Sequence, residues 1–294
     1  MKLKPILLYI LFFIIAVVLF LFLLFPEREV AGSLSRLLTN LNSNVQVSID
    51  KVKLRPPFKL SFKNTKILTN QTTEIVTESF DVFLGPAVFF NTEKPLSFQS
   101  DFHQGSVKGS LKLNRIDPLL FSQLNLFVSK VYVSDFRYKT SLADITLECE
   151  LEGEYKQIEA LPKNKSDKKI SGQGTIFIQN FSAKMKDSLF NVLNLPAVDF
   201  TTIKLEFTQS EKRVTITQCI AKGSIINVKL KGMVDIGSPL QNTRLNLTGI
   251  VLPDSPFLAK FANTASIKSV VKNISRQGIG FTIKGTLKHP EIGI

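Results

Sequence analysis

The chain contains no tryptophan, two histidines, two cysteines and three methionines among its 294 residues. These shortages narrow its chemistry. His103 sits in Asp101-Phe102-His103-Gln104-Gly105 and His289 precedes Pro290. Neither has a second histidine at helical spacing or a cysteine pair beside it, so no metal-ligand pattern is present. No Gly-x-Ser-x-Gly elbow, phosphate loop or dinucleotide fingerprint occurs. Glu148, Glu150 and Glu152 alternate along one strand-like stretch and read as a solvated face rather than a general acid/base pair. The expectation is a protein that is not an enzyme, with no catalytic residue, cofactor or metal.

The two cysteines say little about compartment. Cys149 shares the apolar phase of Ile145, Leu147 and Leu151. Cys219 shares the phase of Thr215 and Thr217, opposite Val214 and Ile216. That pattern favours two unpaired thiols over a disulfide. Negative charge is the scarcer sign, with 24 acidic against 37 basic residues and a net charge of +13. The basic residues are scattered singly, the one dense run being Lys163-Asn164-Lys165-Ser166-Asp167-Lys168-Lys169. Scattered charge is no footprint for nucleic acid, which is not an expected partner.

What is present begins with a run that has no charge, glycine or proline. Ile6, Leu7, Leu8, Ile10, Leu11, Phe12, Phe13, Ile14, Ile15, Val17, Val18, Leu19, Phe20, Leu21, Phe22, Leu23, Leu24 and Phe25 surround the helix on every side. About twenty such residues cross a hydrocarbon core of roughly 30 Å. The run is too long for a cleaved signal, and Glu29 stands where a cleavage site needs a small residue. Residues 6–25 are therefore read as a transmembrane anchor and 1–5 as a cytoplasmic stub. Lys2 and Lys4 place the N-terminus in the cytoplasm by the positive-inside rule.

Residues 27–42 follow as an amphipathic juxtamembrane helix. Val30, Leu34, Leu37, Leu38 and Leu41 lie at helical spacing, and the helix either caps a sheet or lies along the membrane interface. From Val45 the period falls to two. Alternation recurs in Val45–Ile49, Lys59–Lys63, Ser79–Leu84, Leu96–Gln99, Ser106–Leu113, Leu124–Leu126, Lys130–Val133 and Ile145–Leu151. It returns in Gly174–Ile178, Thr202–Phe207, Arg213–Thr217, Asn227–Gly232, Arg244–Gly249 and Gly280–Leu287, with Gln209–Lys212 marking a hairpin turn. Two short helical passages are read near 186–195 and 256–273. Residues 162–169 form a flexible polar loop inside a β-rich domain spanning 45–294.

Glycines recur inside these strands, as in Gly105–Gly109, Gly223–Gly232 and Gly280–Gly285, and mark bulges or bends. The fold class is mainly β: an N-terminal transmembrane helix, then a bent, elongated antiparallel sheet or groove with a few short helices. Leu111, Leu113, Ile176, Ile178, Leu205, Phe207, Val228, Leu230, Phe281, Ile283 and Leu287 are the candidate apolar face of that sheet. Whether this face is an open lipid groove or a closed core is left open by composition. The 24 phenylalanines suit either.

Leu193-Asn194-Leu195-Pro196-Ala197-Val198-Asp199-Phe200, Gly223 through Ile236 with Pro239-Leu240, and Gly278 through Pro290 together form a block. With the N-terminal anchor, this block resembles the type II secretion system protein N family in its spirochaete-type version. More remotely the chain is similar to AsmA-like membrane proteins. The specific part of the resemblance covers about the last hundred residues, in structural Gly, Pro and apolar positions, and carries no catalytic residue. It implies a single-pass protein of a bacterial inner membrane with its β domain in the periplasm. It further implies a non-enzymatic accessory or assembly role in type II protein secretion, with other secretion subunits as partners. The AsmA likeness implies the alternative, a β-groove that binds or transfers phospholipid.

Overall fold

The computed structural model describes residues 9–10, 12–13, 16–17, 19–20, 23–41, 45–55, 59–69, 74–85, 94–102, 104–113, 121–139, 144–160, 169–186, 197–238, 240–253 and 278–293. The helical passages read near 186–195 and 256–273 fall almost wholly outside these residues, as does the loop at 162–169 up to Lys168. Of the anchor, Ile6, Leu7, Leu8, Leu11, Ile14, Ile15, Val18, Leu21 and Phe22 also lie outside. The residues described between Tyr9 and Leu23 are helical. Large apolar side chains there face outward, with Phe12 69% and Leu23 72% exposed. Among the described residues no helix is long and apolar enough to cross a membrane.

The protein is mainly β: the described residues form fifteen strands, antiparallel to the neighbours they pair with, and one α-helix of fifteen residues at Glu27–Leu41. Alternating side chains explain the strands, because each offers one apolar row to a sheet face. The chain divides into two compact units, residues 1–103 and 104–294.

In the first unit, α1 (Glu27–Leu41) starts at Pro26, whose carbonyl accepts the Val30 N–H at 3.1 Å. Glu27 and Glu29 sit in the first turn, where the helix dipole favours negative charge. The strands are β1 (Val45–Ser48), β2 (Lys51–Arg55), β3 (Lys59–Thr69), β4 (Glu74–Leu84) and β5 (Lys94–Asp101). β3 pairs with β1, β2 and β4, and β4 pairs with β5. Helix α1 packs on β1 and β2. Ala31 (1% exposed), Val52 (0%) and Ile49 form a closed core, flanked by Phe25, Val30, Leu34, Val47, Leu60 and Phe62. The Ile49 N–H donates to Ser35 Oγ at 3.0 Å and the Val47 N–H to Thr39 Oγ1 at 3.1 Å, tying helix to sheet edge. The helix thus caps the sheet, one of its two expected positions.

The described residues of the second unit form a ten-strand meander. Its strands are β6 (Ser106–Leu113), β7 (Phe121–Lys139), β8 (Asp144–Ala160), β9 (Lys169–Lys186) and β10 (Ala197–Ser210). They continue with β11 (Arg213–Gly223), β12 (Ile226–Asp235), β13 (Arg244–Pro253), β14 (Ile279–Thr286) and β15 (Pro290–Gly293). Each pairs with the next in chain order. The β10–β11 turn is Glu211-Lys212, with Glu211 at a φ of 55°, as the Gln209–Lys212 hairpin expectation requires.

Bulges interrupt the ladders and shift the phase. Thr217 is an extra residue between Ile216, opposite Phe207, and Gln218, opposite Glu206. Beyond it Cys219 faces Leu205 on one side and Leu230 on the other. Cys219 therefore joins the apolar row of Val214 and Ile216, which corrects the sequence reading that set it opposite them. The same effect explains β7. Its nineteen residues read as two short strands because a bulge at Ser129-Lys130 breaks the alternation between Leu126 and Val131.

Candidate functional site

Register alignment gathers one face of the second unit strand by strand. Leu111 stands opposite Leu124, Leu126 opposite Tyr155, and Leu151 opposite Ile178. Ile176 faces Leu205, which faces Cys219, which faces Leu230. Val228 faces Val251, and Leu247 faces Ile283. Nine of the candidate face residues lie on this surface: Leu111, Ile176, Ile178, Leu205, Phe207, Val228, Leu230, Phe281 and Ile283. Leu113 ends β6 opposite Phe121, beyond a register shift, and its side chain lies outside the described residues.

Leu287 does not join them. β14 ends at Thr286, and Leu287 lies in the turn toward β15, its N–H donating to Thr243 O at 2.9 Å. The cause is Gly285, whose φ of 87° ends the extended run, and whose added Cβ would meet His289 O at 2.5 Å. Only glycine adopts that conformation beside that carbonyl without strain.

Among the described residues most of this face is half-buried rather than sealed. Cys149, Ala183, Ala221 and Leu247 are its fully buried apolar members, while Ile176, Ile178, Ile203, Leu205, Val228, Leu230, Phe281 and Ile283 are half-buried. Among the described residues no element packs on it as α1 packs on β1 and β2.

Three of its aromatic rings reach over glycines. A Cβ on Gly174 would lie 2.6 Å from Phe207 Cζ, one on Gly249 2.5 Å from Phe281 Cζ, and one on Gly172 2.5 Å from the Tyr155 hydroxyl. Each ring therefore occupies the space over a glycine of an adjacent strand. The three rings fill the gaps that these glycines leave in the apolar row.

One polar cluster interrupts the floor near its margin. Tyr155 Oη lies 2.6 Å from Gln209 Oε1 and 3.0 Å from Gln157 Oε1. Gln209 Nε2 donates to Glu211 O at 2.8 Å. The Tyr155 ring stacks on Phe207 at 6.0 Å and 11°. Burial pushes the Tyr155 hydroxyl above its ordinary range, so it stays protonated at neutral pH.

Sequence reasoning missed this cluster because it ended the strand at Leu151, whereas β8 runs to Ala160. The alternation Leu151, Gly153, Tyr155, Gln157 was the available signal. Both thiols also lie on this face, unpaired. Burial raises the pKa of each and keeps them in the poorly reactive thiol form.

The opposite face carries the charges. Glu148, Glu150, Glu152 and Glu154 line β8, and Lys184 Nζ meets Glu148 Oε1 at 3.0 Å. Lys204 Nζ contacts Glu206 at 2.6 Å and lies 5.8 Å from the centre of the Phe177 ring. Phe127, Tyr132 and Phe177 are exposed on this face. A pocket of about 310 Å³ is bounded by Met233, Asp235, Arg244 and Thr286, and a second of about 400 Å³ by Phe127, Glu154, Glu206 and Thr208. No group of three metal-ligating side chains occurs among the described residues. No family model, curated protein or solved structure matches the chain.

Proposed function

We propose that the chain is a non-enzymatic, membrane-anchored lipid-handling protein whose open sheet face holds acyl chains. The observation that carries this reading is the half-buried apolar floor of the second unit, with its rings laid over glycines. Large uncovered apolar surface is costly in water and marks a partner or a lipid. A flat strip suits a flexible hydrocarbon chain, which needs contact area rather than shape-matched holes. The apolar run at residues 6–25 is the proposed anchor, placing the β domain at the outer surface of a bacterial inner membrane.

The test is lipid carried through purification of the full chain, extracted and identified by mass spectrometry. Wild type is expected to retain acyl lipid, and Leu205→Asp or Leu230→Asp to lose most of it with an unchanged circular dichroism spectrum. Equal lipid on wild type and variants contradicts the reading.

A second reading, an accessory or assembly role in type II secretion, draws on the resemblance and on the exposed Phe127, Tyr132 and Phe177 of the charged face. Aromatic side chains are enriched where proteins meet. A photo-crosslinker at position 127 or 132 is expected to capture a secretion subunit. Capture of none in cells that carry the system removes this reading.

A further inference from the structure

The charged face of the second unit sorts its charges by strand. Register places Glu152, Phe177, Lys204, Ile220 and Lys229 in one row across β8, β9, β10, β11 and β12. One step along, Glu154, Thr175, Glu206 and Gln218 form the next row, which Lys231 ends across the Thr217 bulge. Each row thus begins on β8 with a carboxylate and ends on β12 with an ammonium group. Strands lie about 4.8 Å apart, so the two ends of a row are roughly 19 Å from each other. Charges at physiological salt are screened within roughly 8 Å, so the two ends do little for each other inside one copy. Among the described residues Glu152, Glu154, Lys229 and Lys231 enter no ion pair, whereas Lys204 in the middle meets Glu206 at 2.6 Å.

The rows are complementary to themselves. A two-fold axis lying along β10, between two copies of this face, keeps every residue at its own height. It exchanges β8 with β12 and β9 with β11. Glu152 of one copy then stands over Lys229 of the other, and Glu154 over Lys231. Phe177, 43% exposed, stands over Ile220, apolar on apolar. Lys204 and Glu206 flank the axis, and because each copy already joins them, no net charge gathers there. An axis running across the strands instead sets β8 over β8 and carboxylate over carboxylate. Sheets packed face to face hold their strands within about 30° of each other, as the axis along β10 does. Strands β8 to β12 have ten residues or more each. They present roughly 600 Å² per copy, so two faces clear the roughly 1,000 Å² of a specific interface.

We propose that the charged face of the second unit binds a second copy of this chain, as an isologous dimer with its axis along β10. The contact uses none of the apolar floor, so it stands or falls separately from the acyl-chain reading.

The experiment uses purified full-length protein in detergent, with isotopically heavy and light chains mixed, and a carbodiimide that joins carboxylate to amine without a spacer. Crosslinks from heavy to light chain are expected between Glu152 and Lys229 and between Glu154 and Lys231, pairs too far apart to be joined within one copy. Two variants test the arrangement. Lys229→Glu with Lys231→Glu makes both strips acidic, and Glu152→Lys with Glu154→Lys makes both basic. Each alone is expected to dimerise roughly hundredfold more weakly in sedimentation equilibrium, from four cross-copy pairs each worth a factor of about two to five. Mixed one to one, the variants are expected to regain wild-type affinity, which also shows that both are folded. A wild-type chain that sediments as a monomer, crosslinks confined to other residues, or assembly beyond two copies overturns the proposal. So does a dimer that either variant forms at wild-type strength.

Discussion

The two units solve the same problem differently. Both build antiparallel strands with one apolar row, and an apolar row must be covered or used. In the first unit α1 covers the part on β1 and β2: Val52 and Ala31 are sealed, and Ser35 and Thr39 bond the strand backbone. In the second unit the strands are longer, reaching nineteen residues in β7, yet their apolar row stays half-buried among the described elements. Coverage, not strand chemistry, separates them. An identical change should therefore be felt unequally in the two places.

The largest difference expected is for a buried charge. Val52→Asp places an uncompensated carboxylate in the sealed core and is expected to cost about 3–5 kcal/mol, enough to unfold the first unit. Leu230→Asp on the open floor is expected to cost less than half as much, because water reaches it. Denaturant titration read by proteolysis of each unit checks both, and equal costs break the comparison.

A smaller effect sharpens it. Gly174→Ala pushes a methyl group toward Phe207 Cζ and within 2.8 Å of Glu154 O, lifting the ring off the floor. The expected cost is about 1–3 kcal/mol, with weaker acyl retention. Gly280→Ala, where nothing lies within 4 Å, is expected to change neither.

The smallest effect belongs to the polar face of the first unit. Burial pushes the Asp81 carboxyl up, but hydrogen bonds from Lys59 and Ser61 and the charges of Lys59 and Lys63 outweigh it and hold the pKa below the ordinary value. Lys59 Nζ lies 2.7 Å from Asp81 Oδ2. A depressed folded pKa gives stability that is complete above the unfolded value, about 3.9, and lost as pH falls through the folded one. Asp81→Asn is therefore expected to flatten the acid limb of first-unit stability below about pH 4. An unchanged limb contradicts the pairing.

Much of the fold was legible because period-two alternation is local. Ser106–Leu113 and the Gln209–Lys212 hairpin were readable from neighbouring residues alone. The bulges were not. Thr217 and Lys130 look like ordinary strand residues, yet each shifts the side chains beyond it, which is why Cys219 was put on the wrong face. The candidate site was legible as a row of aliphatic positions but not as an open floor. The pairing of Phe207 with Gly174, or Phe281 with Gly249, joins residues more than thirty apart, through registers that no local pattern specifies. Leu287 was lost to a single left-handed glycine.

The central claim is that the floor of the second unit is open and takes acyl chains, and Cys219 is a native reporter on it. The direct measurement is the alkylation rate of Cys219 in the full-length protein, resolved from Cys149 by peptide mass spectrometry, with and without added palmitic acid. The open floor predicts measurable reaction in the ligand-free protein and roughly tenfold slowing when the chain is bound, as for a probe site whose ligand is near ten times its dissociation constant. A thiol that reacts at the same rate with and without palmitic acid, or reacts only after unfolding, contradicts it.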